Sequence, residues 1–171
     1  MTGLTNSDQP DAKRPLSLQQ LRGAIRRDLV ALSESWVALR EIYDSLFGED
    51  LTILPAECKE ASHALEEMYA IVQHCCNYLN EPSSLPAVSL APRYRLLFTS
   101  QLVLEQTRRL IDLFHSYRVI CTQRSPSAER TRRKIQEVYQ LVLKHLADIP
   151  VQAHYLEEES KSLEQEWLSA L

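Results

Sequence analysis

Seven apolar residues, Ile25, Leu29, Leu32, Trp36, Leu39, Tyr43 and Leu46, follow one another at steps of 4,3,4,3,4,3. A stripe of that spacing holds one side of an α-helix for about six turns, whereas a strand, with its period of two, would scatter it over both faces. The chain repeats the device. Cys58, Ala61, Leu65, Met68, Val72, Cys75 and Leu79 step 3,4,3,4,3,4, and Ile135, Val138, Val142, His145 and Ile149 step 3,4,3,4. Between these stripes lie Leu96, Leu97, Val103, Leu104, Leu110, Ile111, Leu113, Phe114, Tyr117, Ile120 and Cys121. That face is broader, wide enough to meet more than one neighbour.

The punctuation between stripes agrees. Ser17 and Gln20 fit a capping box, with Leu16 and Leu21 placed to close a hydrophobic staple. Gly48 stands where the C′ residue of the first helix belongs. Pro55 suits the first position of a second helix, which Asn80 and Pro82 stop. The segment EPSSLPAVSLAP, 81–92, reads as a loop, and a third helix is expected from about Pro92 to Cys121. Ser125 as cap and Pro126 at the first position open a fourth helix, which Pro150 should end or kink. Residues 151–171 then form an acidic amphipathic fifth helix carrying Leu156, Leu163, Trp167 and Leu168. Residues 1–15 read as a disordered leader and 16–150 as the bundle proper. The fold class is all-α: an antiparallel four- to five-helix bundle of long amphipathic helices, with coiled-coil-like packing near +20° between them.

Composition narrows the function. Three glycines in 171 residues compare with about twelve at average usage. Gly3, Gly23 and Gly48 lie too far apart to build a Walker A loop, a dinucleotide-binding fingerprint, a kinase glycine loop or a nucleophile elbow. The net charge of −4 gives no whole-molecule attraction to nucleic acid or anionic lipid. No apolar run approaches the ~18 residues of a membrane span, so no membrane partner is expected. Cys58, Cys75, Cys76 and Cys121 contain no CxxC pair and read as thiols of a cytoplasmic or nuclear protein.

One stretch invites a chemical reading. HALEEMYAIVQHCC, 63–76, holds two histidines, two glutamates and two cysteines. On a helix, Leu65, Met68, Val72 and Cys75 fall together, while His63, Glu67 and His74 fall on nearly the opposite side with Glu60. His63 and His74 are about 16 Å apart along the axis, too far to share an ion. Glu60 with His63 and Asp112 with His115 repeat the Glu-x-x-His spacing of di-iron bundles, but both pairs belong to polar faces. No metal site, cofactor or catalytic residue is therefore expected. His145, on an apolar stripe, reads as a core-edge residue with one hydrogen bond.

Charge is the remaining asymmetry. Residues 118–134 carry Arg118, Arg124, Arg130, Arg132, Arg133 and Lys134 against Glu129, a net +5; residues 148–171 carry a net −5. In a hairpin of helices three and four the cations gather at its tip, a surface for an acidic protein segment or a phosphate. Ser125 ahead of Pro126 has the form of a phosphorylation site there. The expectation is a non-enzymatic intracellular adaptor or subunit of a multiprotein complex. It would bind partner helices through apolar faces, including Leu156, Leu163, Trp167 and Leu168, and would dimerise or require a protein partner. The alternative is a nucleic-acid- or ribonucleoprotein-associated factor using the Arg-rich tip. An enzyme with a metal site inside the bundle comes last.

Overall fold

In a computed structural model, which describes residues 17–48, 52–81, 90–121 and 126–170, helix α1 spans Leu18–Leu46. It begins as its capping box requires. The Gln20 N–H donates to Ser17 Oγ at 3.2 Å, and the Ser17 N–H donates to Gln20 Oε1 at 3.0 Å. These bonds satisfy two donors that the first turn would otherwise leave without partners. Leu16 and the leader 1–15 lie outside the described residues.

Phe47 caps the other end of α1, followed by Gly48, which has no positive φ. Gly48 therefore does not serve as a left-handed cap, and its surroundings are only tight. A Cβ at position 48 would stand 3.2 Å from the Asp44 carbonyl oxygen.

Helix α2 spans Pro55–Asn80, with Pro55 in its first turn. The Glu57 carboxylate accepts from the Leu54 N–H at 2.7 Å, so an acid of the first turn reaches back to the cap. Helix α3 spans Leu90–Ile120 and starts two residues before Pro92. The first turn tolerates that proline, because its N–H would have no helical acceptor anyway. The loop between α2 and α3 lies outside the described residues over 82–89.

Helix α4, Pro126–Ala170, corrects the largest expectation. It runs through Pro150 as one helix of 45 residues, so residues 151–170 continue it and are not a separate fifth helix. An interior proline costs about 3 kcal/mol. Here the apolar face keeps its register across it. Leu146 and Ile149 before Pro150, and Ala153 and Leu156 after it, are all buried, while Pro150 itself faces solvent. Packing on both sides outweighs the lost hydrogen bond.

Neighbouring helices run antiparallel. α1 packs on α2 and α4, and α3 packs on α2 and α4; the diagonal pairs make no close backbone approach among the described residues. Cross-links fix the register. Trp36 Nε1 donates to the Leu143 carbonyl at 3.2 Å, and the buried Tyr139 hydroxyl donates to the Leu39 carbonyl at 2.6 Å. The first two stripes enter the core as their spacing requires: all seven α2 positions are buried, as are Ile25, Leu32, Leu39 and Leu46 of α1. α3 contributes Leu96, Ser100, Val103, Thr107, Leu110, Phe114 and Tyr117, a 4,3,4,3,4,3 seam containing two small aliphatic-hydroxyl residues, Ser100 and Thr107.

Candidate interaction surfaces at the ends of α4

Sequence charge placed a basic cluster at the α3–α4 tip, and the fold gives it a definite shape. Arg118 is exposed in the last turn of α3, and Arg130 is exposed in the first turns of α4. Arg133 lies 3.9 Å from Glu129, and Lys134 lies 3.3 Å from Glu137. Arg132 is half-buried, with its guanidinium 5.3 Å above the Phe47 ring. It belongs to the packing of α4 on the end of α1 rather than to an open cationic surface. Arg124 and Ser125 lie outside the described residues.

At the opposite end the four apolar residues separate. Leu156 is buried beside Leu21, Ile25 and Ala153, so its own bundle already occupies it. That corrects its reading as a partner contact. The reason is the continuation through Pro150, which keeps Leu156 on the inward stripe. Leu168 is 74% exposed. The side chains of Leu163 and Trp167 lie outside the described set.

Glu157, next to Leu156, forms an ion pair with Arg26 of α1. That hydrogen-bonded guanidinium holds the Glu157 carboxyl below its ordinary pKa. The same pair sets the register. α1 begins at Leu18, eight residues before Arg26, so α4 beyond roughly residue 165 has no α1 turn alongside it. Glu166 and Leu168 therefore stand on turns that project past the first helix.

The chemically suggestive stretch of α2 resolves into two sides. His63 is exposed and 3.3 Å from Glu67, and Glu60, Asp112 and His115 are exposed on their own helices. Among the described residues no group of three His, Cys, Asp or Glu side chains converges as metal ligands would. His145 is half-buried at the edge of the core, with Nδ1 4.0 Å from Asp148, and its neighbour Leu146 takes the buried position.

His74 stays exposed, as its place on the polar stripe requires, and there it gains a partner from α1. Its Nδ1 lies 3.1 and 3.0 Å from the two oxygens of Asp28, a carboxylate buried in α1, and its ring meets Tyr78 edge-on at 4.6 Å. Asp28 falls 4 residues before Leu32 on the inward side of α1, and an acid in that register was the one available signal for the pairing. Beside them Cys75 is buried, and desolvation pushes its thiol up to about 12. Burial likewise raises Cys58, to about 11, and Cys76. Thiols held in the neutral form are poor nucleophiles.

A shallow groove of about 460 Å3 opens between α2 and α3, where Arg108 Nη2 donates to the Tyr69 hydroxyl at 2.5 Å. Arg108 and Arg109 are balanced there by Glu105 and Asp112, leaving little charge selectivity.

Comparison with family models, with curated proteins and with solved structures gives no match to the chain. No helix among the described residues is long and apolar enough to cross a membrane.

Proposed function

We propose that the chain is a non-enzymatic helical adaptor or complex subunit that engages a protein partner through the projecting end of α4. One observation carries this reading. α4 has 45 residues where its neighbours have 29, 26 and 31, and its last turns leave the bundle bearing an exposed leucine among acidic residues. A helix end with an exposed apolar residue and no α1 turn beside it among the described residues suits docking into the groove of another helical protein. The excess of carboxylates favours a basic rim around that groove.

The basic tip supports a nucleic-acid reading less well. Arg132 is engaged by Phe47, and Arg133 and Lys134 have carboxylates nearby. No described aromatic side chain at the tip is left free to stack on bases.

The deciding experiment compares affinity purification from native cells with three baits: the full chain, a chain ended after Glu158, and Leu168→Asp. A protein recovered in stoichiometric amount by the full chain and lost by both variants, with unchanged melting of each bait, is the expected result. Recovery of the same protein by all three removes the proposal. Reversal of Arg130 and Arg133 is expected to leave recovery unchanged. Salt-sensitive RNA or DNA binding abolished by that reversal would favour the alternative.

A further inference from the structure

α4 carries a second stripe that the described helices leave largely open. Lys134, Glu137, Leu141, Lys144, Asp148, Val151, Tyr155 and Glu158 step 3,4,3,4,3,4,3, a regular seam on the side away from Ile135, Val142, Ile149 and Leu156. Its apolar members are open: Leu141 is 40%, Val151 48% and Tyr155 55% exposed. We propose that this outer seam joins two copies of the chain in an antiparallel, two-fold symmetric pair.

Charge order selects the occupant. In an antiparallel pair centred on residue 146, Lys144 faces Asp148 of the partner subunit, and the relation repeats by symmetry. Moving outward, Leu141 faces Val151 of the partner subunit, Glu137 faces Tyr155 of the partner subunit, and Lys134 faces Glu158 of the partner subunit. Each juxtaposition is complementary: two charge pairs, one apolar pair, and a phenol that can donate to a carboxylate. A parallel pair in register would set Lys144 on Lys144 and Asp148 on Asp148, stacking like charges along its length. The whole helix has the same polarity, with net charge +3 over residues 126–145 and −5 over residues 146–170. Antiparallel pairing places each acidic end beside a basic start and opposes the helix dipoles.

The competing contacts within one chain are weak. Lys134–Glu137 at 3.3 Å and Glu158–Lys161 at 3.2 Å are exposed i,i+3 pairs, and half-buried His145 stands 4.0 Å from Asp148; all three exchange readily for partners across the seam. Three apolar side chains per copy make a small interface, so the association is expected to be reversible and salt-sensitive. It does not rest on the adaptor proposal: the central seam, 134–158, lies apart from the projecting end, and a failure here leaves partner capture untouched.

The test is sedimentation equilibrium of the full chain over about 1–500 µM, with circular dichroism to check that each variant is folded. Monomer–dimer exchange is expected. Lys144→Asp alone, or Asp148→Lys alone, sets like charges against each other at both symmetric positions and should raise the dimer dissociation constant tenfold or more. The double exchange, K144D with D148K, restores both pairs and should return it to within about threefold of the original. A structural role of the same residues within one helix would change melting, not association. The proposal is overturned by a monomer throughout the range, by single variants that associate normally, or by a double variant that stays apart.

Discussion

The two ends of the bundle are held by different physics. Where the last turns of α1 meet the start of α4, the core is aromatic. The fully buried Tyr139 ring lies 5.2 Å from Tyr43, 6.5 Å from Phe47 and 6.3 Å from Phe114, mostly tilted or edge-on. At the other end, Ala24 of α1, Cys75 and Cys76 of α2, and Ser100 of α3 are buried. Leu21, Ile25, Leu79, Leu96 and Leu156 are buried at this end too, an aliphatic core without aromatic rings, and directional links add to it. Asp28 holds His74. Arg93, buried at the start of α3, donates from Nε to the Leu79 carbonyl at 2.6 Å and from Nη2 to the Glu81 carbonyl, closing the open carbonyls at the end of α2. Area burial responds little to pH, whereas hydrogen-bonded and ionisable groups respond directly. The aromatic end should therefore be the more robust, and the polar end the first to open.

The largest effect expected is at the aromatic end. Tyr139→Ala removes a filled ring site and should cost about 4 kcal/mol in urea unfolding. Tyr139→Phe keeps the ring, loses only the bond to Leu39, and should cost about 1 kcal/mol. A smaller loss from the alanine variant than from any substitution at the polar end would break the comparison.

Arg93→Ala comes next, at about 2–3 kcal/mol, because it leaves buried carbonyls without a donor. Hydrogen exchange should quicken in the last turn of α2 and stay unchanged around Tyr139.

Alkali acts on both ends, because burial raises the Tyr139 phenol as well as the Cys75 thiol. The Cys75 thiol is held up at about 12 against 9.0 in the unfolded chain, so its contribution is whole below pH 9 and declines as pH rises towards 12. A loss on the order of 1 kcal/mol per pH unit above 9 is expected, flattened in Cys75→Ala. Cys58, at the aromatic end, reaches about 11 and should contribute over a narrower window.

Between the ends, Thr107 is fully buried with no hydrogen-bond partner for Oγ1 among the described residues. Thr107→Val removes that cost and should gain about 1 kcal/mol.

The smallest effect is acidic. Glu157 is depressed by Arg26, so their pair stabilises above pH 4.5 and is lost as pH falls through the lowered value. The pair is largely exposed, and the expected loss is below about 0.5 kcal/mol, read as the difference between the chain and Glu157→Gln at pH 3 and 7.

Much of the fold was legible because helical period is local information. The α1 and α2 stripes, the Ser17–Gln20 box and the Pro55 start depend on residues within a few positions of one another, and all appear where their spacing puts them. The α3 seam was half legible: Leu96, Val103, Leu110 and Phe114 stand out, but Ser100 and Thr107 complete it only once the opposing helices close over them. The candidate surfaces were less legible. Arg132 counts as a free cation until Phe47 lies under it, and Leu156 counts as spare until α1 covers it.

Spacing alone determined that this chain makes long amphipathic helices and which residues line the inner faces of α1 and α2. A hydrophobic period needs no knowledge of what lies opposite. The tertiary structure decided what depends on a partner element: that α4 passes Pro150 unbroken, that His74 turns to Asp28, and that Arg93 closes α2. In each case a contact supplied by residues far away in the chain adds to the local preference or outweighs it.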